Sequence, residues 1–134
     1  MKKYLFVLLL GVSLILSACG TNGPSTTIDV TMTDFQFTPN TFSIPAGQEI
    51  TVNVVNNGVT EHEFVIFKLG MDAGEKFGPE DEGNIYWEVE ALPGQSNTAT
   101  FTAPSEPGEY YVTCGIEGHL EAGMNATLTV VASK

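Results

Sequence analysis

The segment CGIEGHLEAGM, residues 114–124, places a thiol, an imidazole and a thioether within eleven positions. The candidate ligands in it are Cys114, His119 and Met124, and the only other histidine of the chain is His62. Two imidazoles and one thiolate in a trigonal set, with a weak axial thioether, form the blue-copper type of electron-transfer site. Zinc also accepts cysteine and histidine, but thioether is a poor fourth ligand for zinc. Copper is therefore the metal that accounts for the methionine.

Each of these residues also has an interpretation that needs no metal. Cys114 alone would be a small buried hydrophobe, and Met124 alone would fill a gap in the core. His62 could be a core histidine bonded to backbone, and His119 could be an ordinary loop residue. The joint pattern favours a metal site, because both histidines and Cys114 would otherwise meet at one edge of the fold by chance.

Alternation of apolar and polar residues predicts the strands that position these ligands. It is clear at residues 28–33 and 50–54. Similar segments follow at 62–68, 85–90, 97–103, 108–114 and 125–131. Many short strands separated by Gly and Pro turns indicate an all-β sandwich.

The four candidate ligands are expected at one rim of this sandwich. His62 and Cys114 lie at the ends of predicted strands, and Met124 directly precedes the last one. Residues of equal parity in a strand face the same side. The core-facing residues that share parity with these three are Phe64, Val112 and Leu128.

One stretch, residues 69–84 (LGMDAGEKFGPEDEGN), lacks alternation and is rich in acids and glycines. We predict a long acidic surface loop with a short helical turn near Asp72–Lys76. The sequence contains no G-x-G-x-x-G, P-loop, G-x-S-x-G or H-E-x-x-H motif, so an enzyme is not expected.

The N-terminus has the features of an export signal. Two lysines precede an apolar run that is too short to span a bilayer, so residues 1–18 are predicted to be a signal peptide. The run ends in Leu-Ser-Ala-Cys, which resembles the lipobox of bacterial lipoproteins and implies lipid attachment at Cys19; the alternative is an ordinary signal peptide cleaved nearby. Residues 19–26 would be the lipidated tether and residues 27–134 the folded domain. Lipid on Cys19 would leave Cys114 without a disulfide partner.

The charge balance restricts the partners. Beyond the signal peptide three lysines face all sixteen acids, and the chain has no arginine. Nucleic-acid binding is not expected, because phosphate contacts depend on clusters of Lys and Arg. We expect a monomer whose partners are redox proteins. A basic docking face on such a partner would be attracted to this acidic domain.

Much of the chain resembles the cupredoxins, the small blue copper proteins. The resemblance lies in DFQFTPNTFSIPAGQEITVNVVNNG, in EHEFVI and in PGEYYVTCGIEGHLEAGMNATLTVV. It implies a Greek-key β-sandwich of seven to eight strands that holds one type 1 copper ion. The implied ligands are His62, Cys114, His119 and Met124. Many family members have Asn or Ser directly after the first histidine, whereas this chain has Glu63.

The resemblance implies a one-electron carrier that cycles Cu(II)/Cu(I) between redox partners. The predicted location is outside the cytoplasm, in the periplasm or on the outer cell face, with a lipid anchor in the membrane. The edge of His119 would be the electron port, and Ile116, Leu120 and Ala122 would form an apolar docking patch. The alternative is a copper-binding module for storage or for delivery to a membrane oxidase, which would use the same ligands.

Overall fold

The computed structural model describes residues 23–133, which form nine β-strands and one 3₁₀ helix. The strands are β1 (Thr27–Thr33), β2 (Gln36–Thr38), β3 (Thr41–Pro45), β4 (Glu49–Asn56), β5 (His62–Phe67), β6 (Ile85–Ala91), β7 (Ser96–Thr102), β8 (Gly108–Thr113) and β9 (Asn125–Val131). The helix spans Pro79–Asn84. Within the described residues no helix has the length and apolar character needed to cross a membrane. The predicted signal peptide (1–18) and Cys19 lie outside the described part of the chain.

The strands form two sheets that enclose one core. Their orders are β2-β1-β4-β7 and β3-β9-β8-β5-β6. Neighbouring strands are antiparallel except in the pairs β1 with β4 and β3 with β9, which are parallel. The all-β sandwich predicted from the sequence is therefore confirmed.

The core lies between the sheets because most strands bury every second side chain. The alternation is clearest in β1 and β9, where the buried residues are Ile28, Val30, Met32, Ala126, Leu128 and Val130. Phe64 of β5 packs edge-on against Phe37 of β2, with ring centroids 5.3 Å apart. This aromatic pair joins the two sheets, and such pairs contribute about 0.5–1.5 kcal/mol beyond the area they bury.

Two of the nine strands, β2 and β3, were not among the seven segments that alternation predicted. β2 has only three residues, and β3 buries two consecutive residues, Ile44 and Pro45, so neither shows a recognisable alternation. The prediction of a helical turn near Asp72–Lys76 is wrong. There the Asp72 side chain accepts a bond of 2.8 Å from the Gly74 amide and closes a turn. The helix begins at Pro79 instead, where the Asp81 carboxylate accepts a bond of 2.9 Å from the Gly78 amide.

Candidate metal centre

Three strand ends meet at one edge of the larger sheet. His62 is the first residue of β5, and Thr113 is the last residue of β8. β5 and β8 are antiparallel neighbours with Val65 opposite Thr113, and Thr113 in turn lies opposite Asn125, the first residue of β9. The start of β5, the end of β8 and the start of β9 therefore lie side by side. Each candidate ligand is on or next to one of these ends, or in the loop between the last two.

The structure brings His62, Cys114 and His119 together with their donor atoms converging. The two histidines face each other through Nδ1 atoms 3.1 Å apart. The Cys114 Sγ atom lies 3.3 Å from Nδ1 of His119 and 3.9 Å from Nδ1 of His62. His62 and Cys114 are fully buried, and His119 is 7 % exposed.

The loop from Cys114 to Met124 is held by its own backbone hydrogen bonds. The Met124 amide donates to the His119 carbonyl at 3.0 Å, and the Cys114 amide donates to the Met124 carbonyl at 3.1 Å. Gly118 and Gly123 have φ angles of 85° and 97°, a conformation that other residues rarely adopt. The loop thus folds back on itself and presents residues 114, 119 and 124 to one point.

Met124 is fully buried in the core cluster that also contains Cys114. Its carbonyl additionally accepts a bond of 3.1 Å from the Thr113 hydroxyl. Its position one residue before β9 and beside Cys114 is therefore fixed by backbone contacts on two sides. A buried thioether next to a thiol and two imidazoles is a soft donor set that suits copper.

The three converging donors have the spacing that a metal ion needs. Bonds of about 2.0 Å to nitrogen and about 2.3 Å to sulfur, arranged in one plane, require donors roughly 3.5–3.7 Å apart. The observed separations of 3.1, 3.3 and 3.9 Å bracket that range. The residues present therefore fit one small metal ion, and the thioether of Met124 favours copper over zinc.

Burial sets the protonation states of the candidate ligands. It raises the pKa of the Cys114 thiol, with a smaller opposing effect from the Glu63 backbone amide. It lowers the pKa of His119, and the neighbouring His62 lowers it further. His119 is therefore neutral at physiological pH, as a metal ligand must be, and metal binding at Cys114 must displace the thiol proton.

Glu63 connects the two ligand-bearing segments in two ways. Its backbone amide donates to Cys114 Sγ at 3.4 Å, and its carboxylate fills the space that a Cβ atom on Gly115 would need. The pKa of this carboxyl is raised to about 7, first by desolvation and then by Glu88. The bond to the thiol thus comes from the main chain, so it does not depend on the Asn or Ser that many cupredoxins have at this position.

A sequence model of the Cupredoxin-like domain family matches residues 6–130. The chain belongs to this family. The resemblance found in the sequence is thereby confirmed, and so is the predicted cofactor, one type 1 copper ion, which family membership and the His, Cys, His and Met donor set both indicate.

The relatives of this cupredoxin include auracyanins. Auracyanin-B of Chloroflexus aurantiacus is 28% identical over 110 residues, which are 70% of this chain and 46% of that protein. The chain thus spans less than half the length of that relative. The reduced auracyanin of Roseiflexus castenholzii has a crystal structure that is 34% identical, with a TM-score of 0.71 over 81% of this chain and 99% of the other. Auracyanin A of Chloroflexus aurantiacus, described as a "blue" copper protein, is 26% identical with a TM-score of 0.63, over 81% of this chain and 100% of the other.

The surface beside His119 differs from the expected docking patch. Ile116 is half-buried and Ala122 is exposed, but Leu120 is only 6 % exposed and packs inward. Leu120 therefore cannot belong to an exposed patch. The exposed apolar side chain that contacts His119 is Phe35, which is 41 % exposed and whose ring meets the His119 ring edge-on with centroids 4.8 Å apart.

Sequence reasoning missed two neighbours of the site, Asp34 and Phe35, in the turn between β1 and β2. The Asp34 carboxylate lies 3.0 Å from Nε2 of His62. The only sign of these two residues in the sequence was an acidic residue followed by an aromatic one at the start of the segment DFQFTPNTFSIPAGQEITVNVVNNG. It could not be assigned to the site, because Asp34 and His62 are separated by 28 positions, and the turn that carries Asp34 joins two strands of the other sheet.

Proposed function

We propose that this cupredoxin is a one-electron carrier. The observation that supports the proposal is the convergence of the Cys114 sulfur and two imidazole Nδ1 atoms, all buried, beside the buried Met124. Copper bound there would supply Cu(II)/Cu(I) chemistry. A carrier needs no open metal position for a substrate, which agrees with a donor set that the chain itself supplies.

The residues of the site divide the work of such a carrier. Cys114 would bind as thiolate, and the Glu63 amide stabilises that charge by donating to its sulfur. His62 and His119 would bind through Nδ1, while the Met124 thioether would supply a weaker donor that adjusts the potential. The hydrogen bonds of the 114–124 loop would hold Cys114, His119 and Met124 in place in both oxidation states and so would limit the rearrangement that accompanies electron transfer.

Burial favours a carrier over a copper-delivery module. A delivery protein must let an acceptor's ligands reach the metal, yet the side chains of His62, Cys114 and Met124 are all 0 % exposed. Only the edge of His119 is accessible, and an electron can cross it where a copper ion cannot. The same burial leaves little room for a substrate at the metal, so we propose a carrier and not an enzyme.

The deciding experiment is the visible spectrum of the Cu(II)-loaded protein, with wild type compared with Cys114→Ser. We expect an intense thiolate-to-copper absorption band and a reversible one-electron potential in wild type. Cys114→Ser should lose the band, because serine offers no thiolate. Met124→Gln is the matched control: it should keep the band and the copper, and change only the potential.

Two results would count against the proposal. A wild-type protein without the charge-transfer band would exclude a blue-copper centre. A wild-type protein that binds Cu(I) and gives it up to an acceptor on each reduction would favour storage or delivery instead.

We further propose that the carrier is held on the outer side of the cytoplasmic membrane or on the outer cell face by lipid on Cys19. The support is the Leu-Ser-Ala-Cys sequence and the polar stretch that follows it. A lipid anchor would keep the domain close to membrane-bound electron donors and acceptors, and so would raise their effective concentration.

The anchor is tested by expressing the full chain with Cys19→Ala in a bacterial host and fractionating the cells. Wild type should sediment with membranes and incorporate labelled fatty acid, whereas Cys19→Ala should do neither. Cys114→Ser is the control for the other cysteine and should stay with the membranes. Equal fatty-acid labelling of wild type and Cys19→Ala would refute the anchor.

A further inference from the structure

The second ring nitrogen of His62 is bonded to a carboxylate. Its Nδ1 atom faces the converging donors, and its Nε2 atom lies 3.0 Å from Oδ1 of Asp34. The His62 side chain is 0 % exposed and the Asp34 side chain 28 % exposed, so the contact joins a buried ring to a carboxylate at the rim. An ionised carboxylate accepts hydrogen bonds but cannot donate one. Nε2 of His62 therefore carries the proton, and Nδ1 offers its lone pair.

Asp34 is held in place by the loop that precedes β5. Its carboxylate accepts bonds of 3.1 and 3.2 Å from the Val59 amide and one of 3.2 Å from the Thr60 hydroxyl. These bonds from the loop fix the orientation of the carboxylate toward His62.

Gly58 makes room for this contact. A Cβ atom at residue 58 would clash with Asp34 Oδ1 and would lie 2.8 Å from His62 Nε2. The Asn56 side chain accepts a bond of 2.8 Å from the Gly58 amide and keeps the loop closed over the pair. Three elements, the β1–β2 turn, the end of β4 and the start of β5, thus converge on one hydrogen bond.

We propose that Asp34 is a positioning residue for His62, which fixes the ring tautomer with Nδ1 toward the metal and stabilises Cu(II) relative to Cu(I). This inference depends on the proposed copper centre but assigns a role to a residue outside the ligand set. Carboxylates that orient a ligating imidazole raise its basicity, and their loss typically costs 10–100-fold in metal affinity. The extra negative charge favours the more positive oxidation state and so lowers the reduction potential.

The test compares Asp34→Asn with Asp72→Asn. Both variants remove one carboxylate charge isosterically, but Asp72 lies in the exposed loop and bonds only to Gly74 among the described side-chain contacts. We expect Asp34→Asn to lower the preference for Cu(II) over Cu(I) about tenfold, which raises a one-electron potential by about 59 mV. Asp72→Asn should leave the potential unchanged. Equal shifts in the two variants would overturn the proposal, because they would reflect net charge alone.

A second readout needs no metal. Ring ¹H–¹⁵N spectra of the metal-free protein at about pH 8, where histidine is neutral, report which nitrogen carries the proton. Wild type and Asp34→Asn both retain an acceptor and should show His62 protonated at Nε2. Asp34→Ala has no acceptor and should show a mixture of tautomers, while a single unchanged tautomer in that variant would refute the positioning role.

The two readouts separate this inference from the proposed function. If wild type shows no thiolate band, the carrier proposal fails, and the tautomer spectra still decide whether Asp34 orients His62. If wild type is blue and reversible but Asp34→Asn has the wild-type potential, the carrier proposal stands and the role of Asp34 in tuning the metal is refuted.

Discussion

Around Cys114 the main chain controls the chemistry as much as the side chains do. The thiol is fully buried, which raises its pKa and opposes formation of the thiolate. The Glu63 amide and the metal both act against that penalty, the first by donating to Sγ and the second by replacing the proton. The bond to the thiol therefore survives a change of the side chain at residue 63, whereas the Glu63 carboxylate itself adds a smaller effect that raises the pKa of Cys114.

The Glu63 carboxylate itself belongs to an acidic surface. Its raised pKa has desolvation as the main cause, followed by Glu88, Glu61 and Glu90. Three of these acids, Glu61, Glu63 and Glu90, have carboxylate oxygens within 4.8 Å of one another. The raised pKa of Glu63 is thus partly due to repulsion between neighbouring carboxylates on and beside β5 and β6. Glu63 follows the ligand His62 in β5, so its side chain points to the opposite face of the sheet.

Among the elements, the last residue of β4, Asn56, holds the loop that leads into β5. The Asn56 side chain is 0 % exposed and donates bonds of 2.8 Å to the carbonyls of Thr60 and Ala91, besides accepting from Gly58. One side chain therefore ties the end of β4 to the end of β6 and shapes the loop that leads into His62.

Asn56→Ala should lower the free energy of unfolding of the metal-free protein by about 2–4 kcal/mol. The reason is that alanine leaves buried or partly buried carbonyl and amide groups without partners, each of which costs about 1–3 kcal/mol. Urea unfolding followed by tryptophan fluorescence measures the change. Asn57→Ala, at the exposed next position, should stay within about 0.5 kcal/mol of wild type. Similar losses in both variants would show that the Asn56 bonds are not the source of stability.

The sequence contained enough information for the longer strands and for the ligands at or next to their ends. Alternation in 28–33 or 125–131 reflects a strand with one buried face, so period and parity could place Cys114 and Met124 on the core side. The contacts of the loops could not be found in this way. Asp34 lies in a turn, and its bond to His62 leaves no periodic pattern in the sequence. The same is true of the 3₁₀ helix, which depends on a bond between the Asp81 side chain and the Gly78 amide.

For the molecule as a whole, the net charge has its main effect on association with partner proteins. The formal charge of the full sequence is −11, and Glu61, Glu63 and Glu90 form an acidic cluster that includes both chain neighbours of the ligand His62. Exposed Glu117 and Glu121 flank His119 in the ligand loop, next to the exposed ring of Phe35. We infer that partners with a basic face approach here, with the apolar ring and the His119 edge at the centre of the contact and the acids at its rim.

This inference predicts that reduction by a cationic cytochrome c slows at least about tenfold as ionic strength rises, because salt screens the attraction beyond about 8 Å at 0.15 M. Stopped-flow absorbance measures the rate. Neutralising Glu117 and Glu121 together, as Glu117→Gln and Glu121→Gln, should flatten the salt dependence. The matched pair Glu49→Gln and Glu106→Gln removes the same charge near the opposite rim, since Glu49 begins β4 and lies about 23 Å along that strand from Asn56. If both double variants flatten the slope equally, net charge alone steers the partner and no acidic rim at His119 is needed.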